Sequence, residues 1–104
     1  HALALPQLRM MARLRGGRPL TALETVEQAH SAEASDGLAT PLASWAAERW
    51  FIGTPAAVTE RLREFAERWQ VDEVMISPVA AARDSDPMDA APARLRTLEL
   101  LAAA

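Results

Sequence analysis

Apolar side chains recur at three- and four-residue steps in three stretches of the chain and run together in two others. Val58, Leu62, Phe65, Ala66 and Trp69 form one continuous stripe of a helix whose Glu60, Arg63, Glu64 and Glu67 face away. Thr54 is a good N-cap and Pro55 suits the first helical position, so this helix starts directly after Gly53. The preceding Trp50-Phe51-Ile52 predicts a short apolar strand that turns at Gly53. Val71-Asp72-Glu73-Val74-Met75-Ile76-Ser77-Pro78-Val79 predicts a second strand, because its continuous Val74-Met75-Ile76 is what a parallel strand covered on both faces shows. Leu95, Leu98, Leu101 and Ala102 then mark the inner face of a last helix, Ala93 to Ala103, with Arg94, Arg96 and Glu99 toward water. Residues 51–104 therefore read β-α-β-α.

The first 29 residues read as helical. Leu5, Leu8, Met11, Ala12 and Arg15 recur at helical steps, Pro6 is tolerated in the first turn, and Gly16, Gly17 and Pro19 end the helix. The basic stretch Arg13-Leu14-Arg15-Gly16-Gly17-Arg18 complements the dipole at that end. Thr21-Ala22-Leu23-Glu24 has capping-box spacing and predicts a short helix through about Ala29. His30 to Pro41 is small and polar without a sustained period and reads as a mobile loop. Leu42 to Arg49 predicts two helical turns that carry Trp45 and Arg49 on one side. Trp45 and Trp50 fill apolar core beside the strand that follows.

Composition narrows the function classes. The 104 residues fit one small domain with a modest core, and two parallel strands with their helices are not a complete fold. The expectation is an α/β segment, mostly helical with two short parallel strands, that belongs to a larger barrel. Its uncovered strand and helix surfaces are expected to bring copies together as a homo-oligomer. His1 opens the chain without Met and without signal-like zones, as a fragment or processed product would. Without cysteine there is no disulfide, thiolate nucleophile or thiolate zinc site. The net charge of −3 and the absence of a basic face argue against a nucleic-acid partner. No apolar run nears the roughly 20 residues of a membrane span, so no membrane partner and a cytoplasmic protein are expected.

The order of these motifs resembles the C-terminal end of the luciferase-like flavin-dependent monooxygenases, the superfamily of bacterial luciferase and the alkanal monooxygenases. Phe51-Ile52-Gly53-Thr54-Pro55-Ala56-Ala57-Val58 with Leu62, Val71-Asp72-Glu73-Val74-Met75-Ile76, and Arg94-Leu95-Arg96-Thr97-Leu98-Glu99-Leu100-Leu101 carry the resemblance in register. It implies that the chain is the last two β-α units of an eight-stranded β/α barrel, the (β/α)8 TIM type. It further implies a parent that oxidises an aldehyde or another small organic substrate with oxygen and reduced flavin mononucleotide (FMN). The family's catalytic and flavin-holding residues fall largely on earlier strands, so the fragment alone is expected to be inactive and to hold no cofactor. Residues 30–50 stand where the family has a lid-like active-site loop. Where close relatives carry a His-Asp-His-like stretch, this chain has the longer Ala80-Ala81-Ala82-Arg83-Asp84-Ser85-Asp86-Pro87-Met88-Asp89. A deazaflavin-dependent oxidoreductase of the same superfamily shares this tail, and a small non-enzymatic helical interaction module is a reading from another class.

The candidate cofactor-binding residues are Gly53 and Thr54, which open a helix where many barrels bind phosphate on backbone amides, although Pro55 removes one of those amides. His30 has no second ligand at metal spacing and reads as exposed loop. Asp84, Asp86 and Asp89 alternate as in a calcium loop but lack its glycine and terminal Glu, so no metal site is assigned. Asp72-Glu73 precede a strand and cap it. The Arg-Leu-Arg triplets at 13–15, 61–63 and 94–96 bracket a buried Leu with solvated charges. No catalytic residue is assigned, since the chain has no nucleophile elbow, dinucleotide fingerprint or Walker loop.

Overall fold

The computed structural model describes residues 1–87 and 89–104, so Met88 of the 80–89 stretch lies outside them. The helices, in order, are α1 Leu5–Arg15, α2 Val26–Asp36, α3 Ala43–Arg49, α4 Pro55–Trp69 and α5 Pro92–Ala102, with a 3₁₀ turn at Thr40–Leu42 leading into α3. No strand occurs among the described residues.

Local chemistry accounts for the ends of these helices. α1 stops at a double-glycine turn in which Gly17 takes φ 69° and the Arg18 N–H reaches back to the Arg13 carbonyl at 3.0 Å. Thr54 caps α4, its hydroxyl accepting from the Ala57 N–H at 3.3 Å, with Pro55 at the first position. Gln70 closes α4 in the left-handed conformation, and the Val71 N–H bonds the Ala66 carbonyl.

The parallel-strand expectation is overturned. Residues 50–54 and 71–80 have no ladder between them, and Met75 is 99 % exposed. The physical reason is partnership: an extended run becomes a strand only when another edge takes up its N–H and C=O groups. After Val71 closes α4, backbone hydrogen bonds from this stretch to the rest of the described residues resume just past its far end. There the Ala81 N–H bonds the Leu3 carbonyl at 2.8 Å and the Val26 N–H bonds the Ala82 carbonyl at 2.9 Å. Asp72 and Glu73, expected to cap a strand, are simply exposed.

Two further expectations change in the N-terminal half. The capping box forms at Thr25 and Gln28, each side chain bonding the other residue's backbone N–H, and not at Thr21 and Glu24. The helix it starts continues to Asp36, so most of the stretch read as a mobile loop is α2. Only Gly37, at φ 56°, Leu38 and Ala39 separate it from the next turn. Tertiary contacts on Ala29, Glu33 and Asp36 hold those turns helical where periodicity alone is weak. On α5, Leu95 and Leu98 are exposed, and the half-buried side is Ala93, Thr97, Leu100 and Leu101, toward α4.

The buried apolar core consists of small groups, Ala4, Val26, Ala29, Ala39, Ala46 and Ala81, where α1, α2, α3 and the 79–82 segment meet. The chain exposes 7370 Å², whereas a folded monomer of its 11.3 kDa exposes about 5,700 Å². Its radius of gyration is 14.8 Å, against about 13 Å for a compact domain of this length. The surplus surface includes Phe65, Trp69, Val71, Val74, Met75 and Ile76. Replacing Met75 with Lys should therefore change stability by less than ~0.5 kcal/mol in urea denaturation. A loss of several kcal/mol would mean that Met75 is buried in a sheet after all.

Candidate functional site

Two features stand out against this small core. The first is Arg9, whose side chain is fully buried between α1 and α2. Its Nε donates to Glu24 at 2.8 Å, and its two terminal nitrogens donate to Asp36 at 2.7 and 3.0 Å in a fork, one of them also to Glu33. Glu33 in turn accepts from the Ala39 N–H and from the Thr40 hydroxyl, so the cluster ties α1, the 18–25 connection, α2 and the turn into α3 together. Arg13 approaches Glu24 at 3.8 Å from the next turn of α1. Three carboxylates around one guanidinium hold it firmly protonated, while the Arg9 bonds, followed by the Leu38 N–H, hold the Asp36 carboxyl well below the usual carboxylate range.

The second feature is a cavity of about 440 Å³ between α1, α3, the 50–52 segment and α4. Leu5 and Leu8 of α1, Ala46 of α3, Trp50 and Ile52 line it, together with His1 and Arg61 of α4. The Arg61 guanidinium lies 4.8 Å from the centroid of the Phe51 ring, and Phe51 meets Phe65 edge-on at 5.9 Å. Trp50 is set by an edge contact to Trp45 at 6.1 Å. The Trp45 ring carries Arg15 at 4.5 Å and Arg49 at 5.3 Å, so the tryptophans join α1 to α3 as packing groups.

The residues singled out in the sequence lie apart from both features. Gly53 and Thr54 sit exposed at the start of α4. The Thr54 oxygen and the Ala57 N–H satisfy each other, and Pro55 has no N–H to give. This helix end does not fit the phosphate of a flavin, which needs free donors converging from one turn. His30 is exposed on α2. Asp84 is used structurally, accepting from the Thr25 hydroxyl and giving its N–H to Glu27, and Asp86 accepts from the Arg83 N–H at 2.8 Å. No group of three metal-ligating side chains forms among the described residues.

Both arginines escaped the sequence reading. Arg9 stands four residues after Leu5 and three before Ala12, on the buried arc of its own helix. Arg61 stands three after Val58 and four before Phe65, at the margin of the α4 stripe; it is half-buried and not the solvated charge of the Arg-Leu-Arg reading. The spacing was the available signal, but periodicity weights apolar residues and passes over a cation at an inner position.

No family model matches the chain, and neither the curated proteins nor the solved structures contain a significant match to it. Among the described residues, no helix is long and apolar enough to cross a membrane.

Replacing Arg9 with Met removes the cation that, among the described residues, pairs with Glu33 and Asp36. It should lower stability by about 3 kcal/mol or more, read from urea denaturation followed by circular dichroism. The same cluster sets an acid limit. Asp36 is lowered in the folded state, so its contribution is complete above its ordinary pKa of 3.8 and is lost as pH falls below that. The urea midpoint should drop between pH 4 and pH 2 less steeply in Asp36→Asn than in the parent chain, and equal slopes would refute the assignment.

Proposed function

We propose that this sequence serves as part of a luciferase-like flavin-dependent monooxygenase, whose parent oxidises an aldehyde or another small organic substrate with oxygen and reduced FMN. The 104 residues alone carry no catalysis in this reading. The observation that supports it best is the surplus surface. The apolar side chains left uncovered, from Phe65 and Trp69 through Val71 to Ile76 and on to Leu95 and Leu98, lie mostly on the motifs that carry the family resemblance. Apolar surface of that extent marks a face made to be covered. The start of α4 does not suit a flavin phosphate, and in this reading the flavin is held by residues outside this sequence. Within the chain, residues 50–62 supply an apolar wall, and the ion cluster at Arg9 fixes the segment leading to it.

A deazaflavin in place of FMN is the alternative cofactor. The same uncovered surface also favours a second reading, a non-enzymatic helical module that buries these side chains against a protein partner.

The reading is tested at two levels. The chain alone should show negligible FMN binding by calorimetry, and micromolar affinity would overturn the assignment of the flavin to the missing part. The protein with its natural flanking sequence, given oxygen and enzymatically reduced FMN or deazaflavin, should turn over an aldehyde panel with product formed per oxygen consumed. Failure with both cofactors would favour the interaction module.

A further inference from the structure

We propose that the cavity between α1, α3 and α4 is a binding site for a small apolar carboxylate, with Arg61 as the group that receives the carboxylate. The inference stands independently of the monooxygenase reading, because it needs only the cavity and the state of one side chain.

Three observations converge. The cavity, about 440 Å³, lies within the ordinary range for small-molecule sites, roughly 300–1,000 Å³. Its lining is mostly aliphatic, from Leu5, Leu8, Ala46 and Ile52, with Trp50 and His1 beside them, so the body of the ligand must be apolar. Arg61 is the third. It is half-buried, it stacks on Phe51, and among the described residues it makes neither an ion pair nor a hydrogen bond.

The fully buried Arg9 shows how this chain partners a guanidinium from within: three carboxylates meet it. Arg61 has no such set. Arg61 lines the cavity, and its planar fork, lying over the Phe51 ring, keeps N–H donors to which a carboxylate can offer two parallel acceptors. Charge and shape together select an amphiphilic anion over an alcohol of equal length, because only the anion gains charge-assisted bonds, and over a cation, which Arg61 repels.

Decanoate is a suitable probe, with 1-decanol and decylammonium as controls, followed by quenching of tryptophan fluorescence and by calorimetry on the 104-residue chain. Decanoate should bind at least about tenfold more tightly than 1-decanol, and decylammonium should not compete with it. Arg61→Met should erase the preference by weakening decanoate about tenfold while leaving 1-decanol unchanged, and Arg61→Lys should restore part of it. Ala46→Leu, which intrudes into the cavity, should weaken decanoate and decanol together. Because Arg61 is only half-buried, its variants should keep the parent circular dichroism spectrum, which separates lost binding from lost folding.

Two results would overturn the proposal. One is equal affinity of the parent for decanoate and decanol. The other is decanoate binding unaffected by both Arg61→Met and Ala46→Leu, which would place the ligand on the exposed 71–76 run instead.

Discussion

A single guanidinium holds the N-terminal half of this protein in shape. The core around α1 and α2 is built from alanines, one valine and Pro6, side chains that bury little apolar area each, so burial alone supplies only a modest driving force. Arg9 adds directional bonds to three carboxylates, one from the 18–25 connection and two from the last turns of α2. Removing a charge from water is costly, and the cost is offset only because nearly every donor of the fork is used. The consequence is a geometry that tolerates few alternatives. α2 must run as far as Asp36 for its last turn to meet Arg9, and Glu33 must lie one turn earlier to hold the Ala39 N–H and Thr40. The turn into α3, and through it the cavity wall at Ala46 and Trp50, inherits its position from this cluster.

The C-terminal half follows a different logic. α4 has a capped start and a strong amphipathic pattern, whereas α5 begins at Pro92 without a side-chain cap and with a weaker one; their half-buried sides pack against each other and, for α4, against Phe51. The extended 71–80 run has apolar composition without a neighbouring edge, so it docks by its end, at Ala81 and Ala82, and leaves Val74 to Ile76 to solvent. A sheet needs at least a third partner or a packed face to stand in water. Nothing among the described residues supplies one.

Arg9 and Arg61 show how one residue type takes opposite roles in 104 residues. Around Arg9 the fold gathers more negative charge than the guanidinium carries, and the site is closed. Around Arg61 it provides an aromatic face and a void, and the donors stay available. The difference lies in what the neighbouring elements present, acidic side chains from α2 in one case and aliphatic ones from α1 and α3 in the other.

The sequence by itself determined the helices whose caps and stripes agree. α1 falls on Leu5–Arg15 as its periodicity and glycine stop require, and α4 starts at Pro55 behind Thr54 because cap, proline and stripe all act within a few residues. These are local interactions, and local spacing encodes them. Tertiary structure alone decided the remainder. Val71 to Val79 has the composition of a strand, yet strand formation depends on a partner edge that spacing cannot report. The 30–36 segment lacks helical periodicity, yet becomes helix because Arg9, more than twenty residues away, binds its acidic side chains. Gly53 and Thr54 kept the local role their types favour, a turn and a cap, while the cavity formed elsewhere, from side chains of α1, α3 and α4 that only packing brings together.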